Sequence, residues 1–469
     1  MSIEFNSTQQ QVFDNLKEFV EKNDYDTYIL NGYAGTGKTF LIQEFAKHLK
    51  EKKIKFSLLA TTGRAAAVLR GKTDLPTSTI HSALYSFTKV DGDDDTIAAD
   101  APVDAYGQMK LVFEPNQTLQ ENCIYIVDEA SMLASESKDV TSFAVFGSGD
   151  LLPDLLAAIG KNKIIFVGDT AQLPPVFQEV SPALDLNWLN KFGRKTTTGT
   201  LSKIMRTDKD NDILKIAEEV RMSIGKTTTT KYIKLPAANR KNCTVLPDSN
   251  TVFLEHYTHF LQFGPDKTIG IAPSNRLCNH LNMHFRKRLF KNSEELIVPG
   301  EILMVTQNNY IIPLTNGDFV KVLEVVPKSI RAGINFQNIR LLHLVTKKEY
   351  EIKIALNPFL SHSPNLTPDQ QRNLMIDFSI SLKKKGIMPN SEQYKEALRK
   401  DSFLNSLRAT YGYVVTCHKA QGGEWENVFL FLDSKMYGYM SQDSMRRWWY
   451  TAITRTKEQL FLHKEWWII

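Results

Sequence analysis

The chain has 469 residues, 42% of them hydrophobic, and carries 57 Lys and Arg against 52 Asp and Glu, for a net charge of +5. That length exceeds a single hydrophobic core and implies about two to four domains of ordinary globular composition. The absence of any run of 18 apolar residues excludes a helical membrane span, and the small basic excess permits nucleic-acid binding without demanding it. Cys123, Cys243, Cys278 and Cys417 lie far apart with no metal-ligand spacing. They are expected to stay reduced in a cytosolic compartment. The opening Met1-Ser2-Ile3-Glu4-Phe5-Asn6, which lacks a basic and then apolar leader, also reads as cytoplasmic.

Residues 1–90 alternate strand-like and helix-like segments: a strand at 27–31, a helix at 39–50, a strand at 55–60 and a helix carrying Ala65, Ala66, Ala67 and Leu69. Alternation of this kind predicts a parallel sheet with helices on both faces. Gly32-Tyr33-Ala34-Gly35-Thr36-Gly37-Lys38-Thr39 joins the first strand to the first helix, whose Leu41, Phe45 and Leu49 share one face. It fills every fixed position of a phosphate-binding loop. Its glycines let backbone N–H groups and a helix N-terminus approach a phosphate. Lys38 is placed to reach terminal phosphates and Thr39 to hold Mg²⁺.

Residues 88–121 carry little pattern; they include the acidic loop Asp91-Gly92-Asp93-Asp94-Asp95 and a segment, Gln108–Asn116, that could form a small inserted hairpin. Cys123–Val127 reads as a buried strand closed by Asp128-Glu129. Two carboxylates at a strand end suit metal binding by Asp128 and activation of an attacking water by Glu129. A second strand, Lys163–Val167, runs into Gly168-Asp169-Thr170-Ala171-Gln172-Leu173-Pro174-Pro175. The amide of Gln172 can both donate and accept, which suits it to sensing a γ-phosphate and positioning water.

A second α/β region begins near residue 207, with a strand at Thr268–Ala272. Residues 296–356 hold short β-rich runs punctuated by Gly300, Asn316-Gly317 and Gly333, predicting a small barrel. Thr367-Pro368-Asp369-Gln370 is a capping box opening a helix with Leu374, Phe378 and Leu382 on one face and Gly386 at its end. A second helix follows from near Asn390, and strands return at 411–416 and 427–432. Lys383-Lys384-Lys385 sits in a last helical turn, where cations favour the dipole. The pair Trp466-Trp467 reads as packing.

The motif set resembles that of superfamily 1 DNA helicases, in the RecD-like (1B) branch and near its phage Dda type. The phosphate loop, the Asp-Glu pair and the Gly-Asp-x-x-Gln-Leu-Pro-Pro run occur in that family's order. Phe5-Asn6-Ser7-Thr8-Gln9 resembles its adenine-reading motif. Leu59–Ala66 and Thr79-Ile80-His81-Ser82 resemble its strand-contact motifs, and Leu201–Arg206 resembles the segment supplying a phosphate-binding arginine. Thr416–Glu424 and Tyr450–Arg455 resemble the two motifs of the second motor. In one departure, Thr61 stands where family members usually carry Pro.

The resemblance implies an α/β fold of two RecA-like P-loop motor domains. The first motor, 1–206, would carry a hairpin or pin insertion at 88–121. The second, 207–295 and 406–469, would carry an SH3-like β-barrel with a helical pair at 296–405. It further implies an ATP-dependent DNA helicase moving 5′→3′, with ATP and Mg²⁺ as cofactors, single-stranded and forked duplex DNA as partners, and replication, recombination or repair as its setting. The implied catalytic residues are Lys38, Glu129, Gln172, Arg206 and Arg455. The implied ATP-binding residues are Gln9, Gly32, Ala34, Gly35, Thr36, Gly37, Lys38, Thr39, Gly422 and Glu424, with Thr39 and Asp128 on the metal. The implied nucleic-acid contacts are Thr62, Gly63, His81, Thr416, His418 and Lys419, together with Phe113 as either the duplex-splitting pin or a buried hairpin aromatic. An RNA-directed or non-unwinding translocase remains open, because backbone contacts dominate both. A nucleotide kinase or GTPase is the third reading, although no Asn-Lys-x-Asp guanine-reading sequence occurs.

Overall fold

The computed structural model describes residues 5–91, 110–115, 119–136, 144–205, 211–226, 230–291, 294–309, 311–360, 365–389 and 391–469. In chain order the first half contains α1 (Ser7–Glu21), β1 (Thr27–Gly32), α2 (Lys38–Glu51), β2 (Phe56–Ala60), α3 (Gly63–Thr73), β3 (Thr77–Thr79), α4 (Ile80–Leu84), β4 (Tyr85–Asp91), β5 (Lys110–Pro115), β6 (Ile124–Asp128), β7 (Ala144–Phe146), α5 (Leu151–Ile159), β8 (Ile164–Gly168), α6 (Leu186–Lys191) and β9 (Thr196–Leu201). Six of these strands form one parallel sheet in the order β3-β2-β6-β8-β1-β9. β6 and β8 are buried along their whole length, as strands covered on both faces must be. On one side α1 and α2 bury Val12, Leu16, Phe19, Leu41, Phe45 and Leu49 against the sheet. On the other, α5 buries Leu152, Leu155, Leu156 and Ile159.

The inserted hairpin begins earlier than the sequence suggested: β4 pairs antiparallel with β5, and β7 joins β5 in parallel. Its tip, residues 92–109, lies outside the described residues, as do Gln108 and Asn116.

The second half contains α7 (Ile213–Ser223), β10 (Cys243–Leu246), α8 (Ser249–Phe263), β11 (Thr268–Ala272), α9 (Asn275–Leu289), β12 (Ile302–Val305), β13 (Phe319–Arg331), β14 (Ile334–His343), β15 (Glu349–Ala355), α10 (Asn357–Leu360), α11 (Pro368–Lys383), α12 (Glu392–Lys400), β16 (Ala409–Tyr411), β17 (Val414–Thr416), α13 (Cys417–Ala420), β18 (Trp425–Leu430), α14 (Met436–Tyr439), α15 (Gln442–Ile453) and β19 (Thr456–His463). A second parallel sheet, five-stranded, runs β10-β19-β18-β11-β17.

Between β11 and β17 the chain leaves to build an antiparallel sheet, β15-β14-β13-β12-β16. Leu407, just before β16, bridges to Ile354 of β15, so the two edges of that sheet are joined. The run 411–416, which reads as one strand in the sequence, is split. Tyr411 ends β16 in the antiparallel sheet, and β17 belongs to the parallel sheet. Gly412 makes the turn between them, where an added Cβ would meet the backbone of Leu303 at 3.2 Å. The helical pair follows the sequence reading: Thr367 and Gln370 form a reciprocal capping box, and Gly386 (φ +75°) ends the helix beyond Lys383. Among the described residues no helix is long and apolar enough to cross a membrane, and all four cysteines are buried and free.

Candidate nucleotide cleft and strand-contact surfaces

β1, β8 and β6 are neighbours in one parallel sheet, so the segments leaving their C-terminal ends gather at one edge. The phosphate loop leaves β1, Glu129 follows β6, and the 169–173 loop leaves β8. Gly37 adopts φ +85° as the residue before α2 and offers no side-chain cap, which leaves the helix N-terminus open toward a ligand. Lys38 Nζ donates to Gly32 O at 2.6 Å and Tyr33 O at 3.2 Å, folding back over the loop.

Asp128 is buried, and its carboxylate accepts from Glu129 N at 2.9 Å. Burial first, then the charge of Glu129, push its pKa up to about 6, against the pull of Lys38. Glu129 sits at φ +54°, ψ +37°, a left-handed conformation uncommon for a non-glycine residue. Its Oε2 and the Oε1 of buried Gln172 are both enclosed without a hydrogen-bond partner. Two orphaned acceptors beside a phosphate loop are what a bound magnesium nucleotide and its water would satisfy, so the residues present fit that group. Thr39 and Asp128 would hold the ion.

Several expected site residues are placed differently. Gln9 is buried: its Oε1 accepts from Asn6 N in the capping box of α1, and its Nε2 donates to Thr36 O at 3.2 Å. In this arrangement it props up the phosphate loop rather than facing a base. An added Cβ on Gly37 would meet that same Nε2 at 2.7 Å. Arg455 does not reach across to the loop. Its guanidinium donates to Thr451 O at 3.0 Å, Gly423 O at 3.2 Å and Thr454 Oγ1 at 3.2 Å, all in the second lobe. Gly422 lies against Ala65 and Thr62 rather than the phosphate loop, and Glu424 interacts electrostatically with Arg64. Arg206 lies outside the described residues.

The groups of the second lobe that meet the phosphate loop and the 169–173 loop were missed in the sequence. Tyr450 Oη accepts from Ala34 N at 3.0 Å and donates to Asp169 Oδ2 at 2.6 Å. Arg221 of α7 stacks over the Tyr33 ring at 3.8 Å. Arg447 donates to Thr170 O, Thr451 Oγ1 accepts from Leu173 N at 2.9 Å, and Gln421 Nε2 donates to Leu173 O at 3.1 Å. The available signal was the spacing of Arg447, Tyr450 and Thr451, which lies on one face of a helix.

The strand-contact candidates fall into two places. Gly63, His81 and Phe113 line a cavity of about 630 Å³ shared with Asn309 and Arg408 of the inserted sheet. Gly63 is tight against that insertion, since an added Cβ would lie 1.2 Å from Thr315 Oγ1. Burial lowers the pKa of His81 to about 4, so the ring is neutral and packs beside Tyr85 and Phe146. Phe113 is buried and stacked on Phe146 with centroids 4.7 Å apart. In this structure Phe113 is a packed hairpin aromatic. Thr62 caps α3 through Ala65 N at 3.2 Å. Thr416 and Lys419 line a narrow cleft with Asn275 and Asn279, and burial lowers the pKa of both His418 and Lys419.

A phosphate loop on one parallel sheet, faced across a cleft by helices of a second, defines a two-lobed P-loop protein. Residues 4–239, half of the chain, match the AAA domain family, and residues 411–463 match the UvrD-like helicase C-terminal domain. The chain belongs to the superfamily 1B RecD/Pif1-like helicases. It is 25% identical to the RecBCD enzyme subunit RecD of Buchnera aphidicola, over 92% of this chain and 69% of that one. It is 22% identical to the ATP-dependent RecD2 DNA helicase of Deinococcus radiodurans, over 92% of this chain and 46% of that one. The crystal structure of Pif1 helicase from Bacteroides in complex with ADP-AlF3 and ssDNA shares the fold at a TM-score of 0.52 and 14% identity, covering all of this chain and 95% of that one.

Proposed function

We propose that this chain is an ATP-driven DNA helicase that moves 5′→3′ on single-stranded DNA and unwinds forked duplexes. The observation that carries the reading is the pair of hydrogen bonds at the Tyr450 hydroxyl, accepted from Ala34 N and donated to Asp169 Oδ2, which puts the second parallel sheet's helix on the nucleotide loop of the first. A cleft built by two lobes converts nucleotide turnover into lobe movement. Residues 1–206 serve as the first motor, with its hairpin insertion at 88–121. Residues 207–295 and 406–469 serve as the second, and 296–405 is an SH3-like barrel with a helical extension. Magnesium held by Thr39 and Asp128 supplies neutralising charge at the phosphates when bound. Glu129 accepts the proton of the attacking water, Gln172 orients that water, and Lys38 offsets phosphate charge together with Arg206. Gly63, His81, Thr416 and Lys419 grip the strand from either lobe.

The test is unwinding of duplexes carrying only a 5′ or only a 3′ single-stranded tail, in DNA and in RNA, alongside strand-stimulated ATP hydrolysis. Unwinding of the 5′-tailed DNA alone is expected, whereas hydrolysis indifferent to added single strands would reject the reading. The burial of Phe113 favours a second reading, a translocase that does not separate strands. It would show strand-stimulated hydrolysis with no unwinding of either tailed duplex.

A further inference from the structure

Helix α9 carries Arg276, Arg286, Lys287 and Arg288, two histidines and no acidic residue over its 15 positions. Its buried side is accounted for: Cys278, Asn282 and Phe285 face the core, and Arg286 pairs with buried Glu301 at 3.0 Å. Arg288 lies over the Tyr257 ring at 5.6 Å. The remaining cations point elsewhere. Arg276, His280, His284 and Lys287 are all exposed, and together with Met283 they form one wall of a cavity of about 770 Å³. Among the described residues neither Arg276 nor Lys287 has a carboxylate within ion-pair distance. His280 and His284 stand edge to face with centroids 4.5 Å apart.

The opposite wall is apolar, made by exposed Leu360 and half-buried Phe359, whose ring lies 4.9 Å from that of buried Tyr411 beneath it. Arg276 and Lys287 facing an apolar wall that offers the Phe359 ring are an arrangement suited to single-stranded nucleic acid, with phosphates on one side and a base on the other. The trough also adjoins the narrow cleft that holds Thr416 and Lys419, because Asn279, Thr410 and Tyr411 line both. From Arg276 to Lys287 the helix rises about 16 Å, on the order of three to five phosphates of a single strand.

We infer that the outer face of α9 is a second binding surface for a single-stranded polynucleotide, engaging the phosphates of the strand that extends beyond the cleft between the lobes. The inference rests on the helicase reading, because its strand is the one gripped by Thr416 and Lys419. The surface adds grip to a strand already held and has no part in nucleotide turnover. Its charges, Arg276 and Lys287, engage phosphates, so the affinity they add is the same for all sequences.

The experiment compares the full chain with the double variant Arg276→Gln, Lys287→Gln. Two oligothymidylates are used, one of roughly eight nucleotides that fills the cleft and one of roughly twenty that also crosses the trough. The wild-type chain is expected to bind the long strand about tenfold tighter than the short one at low salt. The variant should lose that gain, keep its affinity for the short strand within about twofold, and show a slope of log affinity against log salt smaller by about 1.4 on the long strand. Its strand-saturated ATP turnover should be unchanged. A variant that keeps the length gain and the salt slope overturns the inference, as does one that loses both strands equally. Failure of the wild-type chain to bind even the short strand would instead strike the helicase reading, which separates the two failures. Both substitutions are at exposed positions, and a thermal melt matching the wild type verifies that the fold is intact.

Discussion

Thr61 stands where relatives of the resembled type usually carry Pro, and the structure gives the substitution a job. Its Oγ1 donates to Glu129 O at 3.2 Å. Glu129 sits in the left-handed region at φ +54°, a conformation that costs a non-glycine residue about 1–3 kcal/mol and persists only where the surroundings hold it. Thr61→Val keeps the shape and removes the donor, a loss of about 1 kcal/mol. If that energy holds the carboxylate in position, kcat for ATP should fall about fivefold with KM little changed. An unaltered kcat would show that the turn after β6 is set by other contacts. Arg455 poses a second question at this scale. Its three hydrogen bonds stay within the second lobe, and the charge it meets across the cleft is that of Arg64. Arg455→Ala should lower the melting temperature, because it leaves buried acceptors unpaired. If the arginine also serves turnover, strand-stimulated hydrolysis should disappear while DNA binding stays near normal. Parallel loss of both would assign Arg455 to structure alone.

Among the elements, α8 carries a sharply perturbed titrating group with no part in the cleft. His256 is fully buried, neither ring nitrogen has a partner, and the ring stacks 4.9 Å from Phe429 and 4.8 Å from Phe285. Burial first, and then the neighbouring charge of His259, lower its pKa from 6.5 to about 3. Above pH 6.5 the ring is neutral whether the chain is folded or not, and its packing contributes in full. As pH falls below 6.5 the unfolded chain takes up a proton that the native state refuses until about pH 3, so stability declines through that window. At pH 5 the decline from this one group is about 2 kcal/mol. His256→Phe should therefore flatten the fall in urea midpoint between pH 7 and pH 5, whereas an equal fall in both proteins would place the acid sensitivity elsewhere. Elements of this kind were legible where one physical signal dominates. The apolar run of β1, the capping box of α11 and the phosphate loop are local, and each appears where its residues place it. The split of 409–416 between two sheets was not legible, because the apolar alternation of Tyr411 and Tyr413 through Val415 is the same whichever sheet receives it. Gln9 and Arg455 show the same limit within the site: sequence names the motif, but side-chain direction follows from capping and from the lobe that closes around it.

At the scale of the whole molecule, the two parallel sheets communicate through α15, whose Arg447, Tyr450 and Thr451 all engage the 169–173 loop. That loop carries Gln172, so any shift of the second lobe is felt at that buried amide. Arg64 makes a second junction from the first lobe, its guanidinium 4.1 Å from the Trp425 ring centroid and 5.0 Å from that of Phe319. If nucleotide and lobe closure compete, Tyr450 is where they would do so, because its hydroxyl accepts from the Ala34 N–H that could otherwise donate to a phosphate. Burial and the Asp169 carboxylate push its pKa well up, so the hydroxyl stays protonated and donates at every working pH. Tyr450→Phe removes one oxygen, frees Ala34 N and leaves Asp169 Oδ2 without this donor. Two effects of opposite sign follow. Loss of a charge-assisted hydrogen bond between buried groups should destabilise the nucleotide-free protein by about 1–3 kcal/mol. The same loss relieves nucleotide of the need to displace the hydroxyl, so ADP should bind several-fold tighter while the melting temperature without nucleotide drops. Calorimetric titration and a thermal melt on one preparation decide the matter. Weaker ADP binding together with the lower melting temperature would mean that the hydroxyl supports the nucleotide-bound cleft, and that the two lobes are held by Tyr450 throughout the cycle rather than released by it.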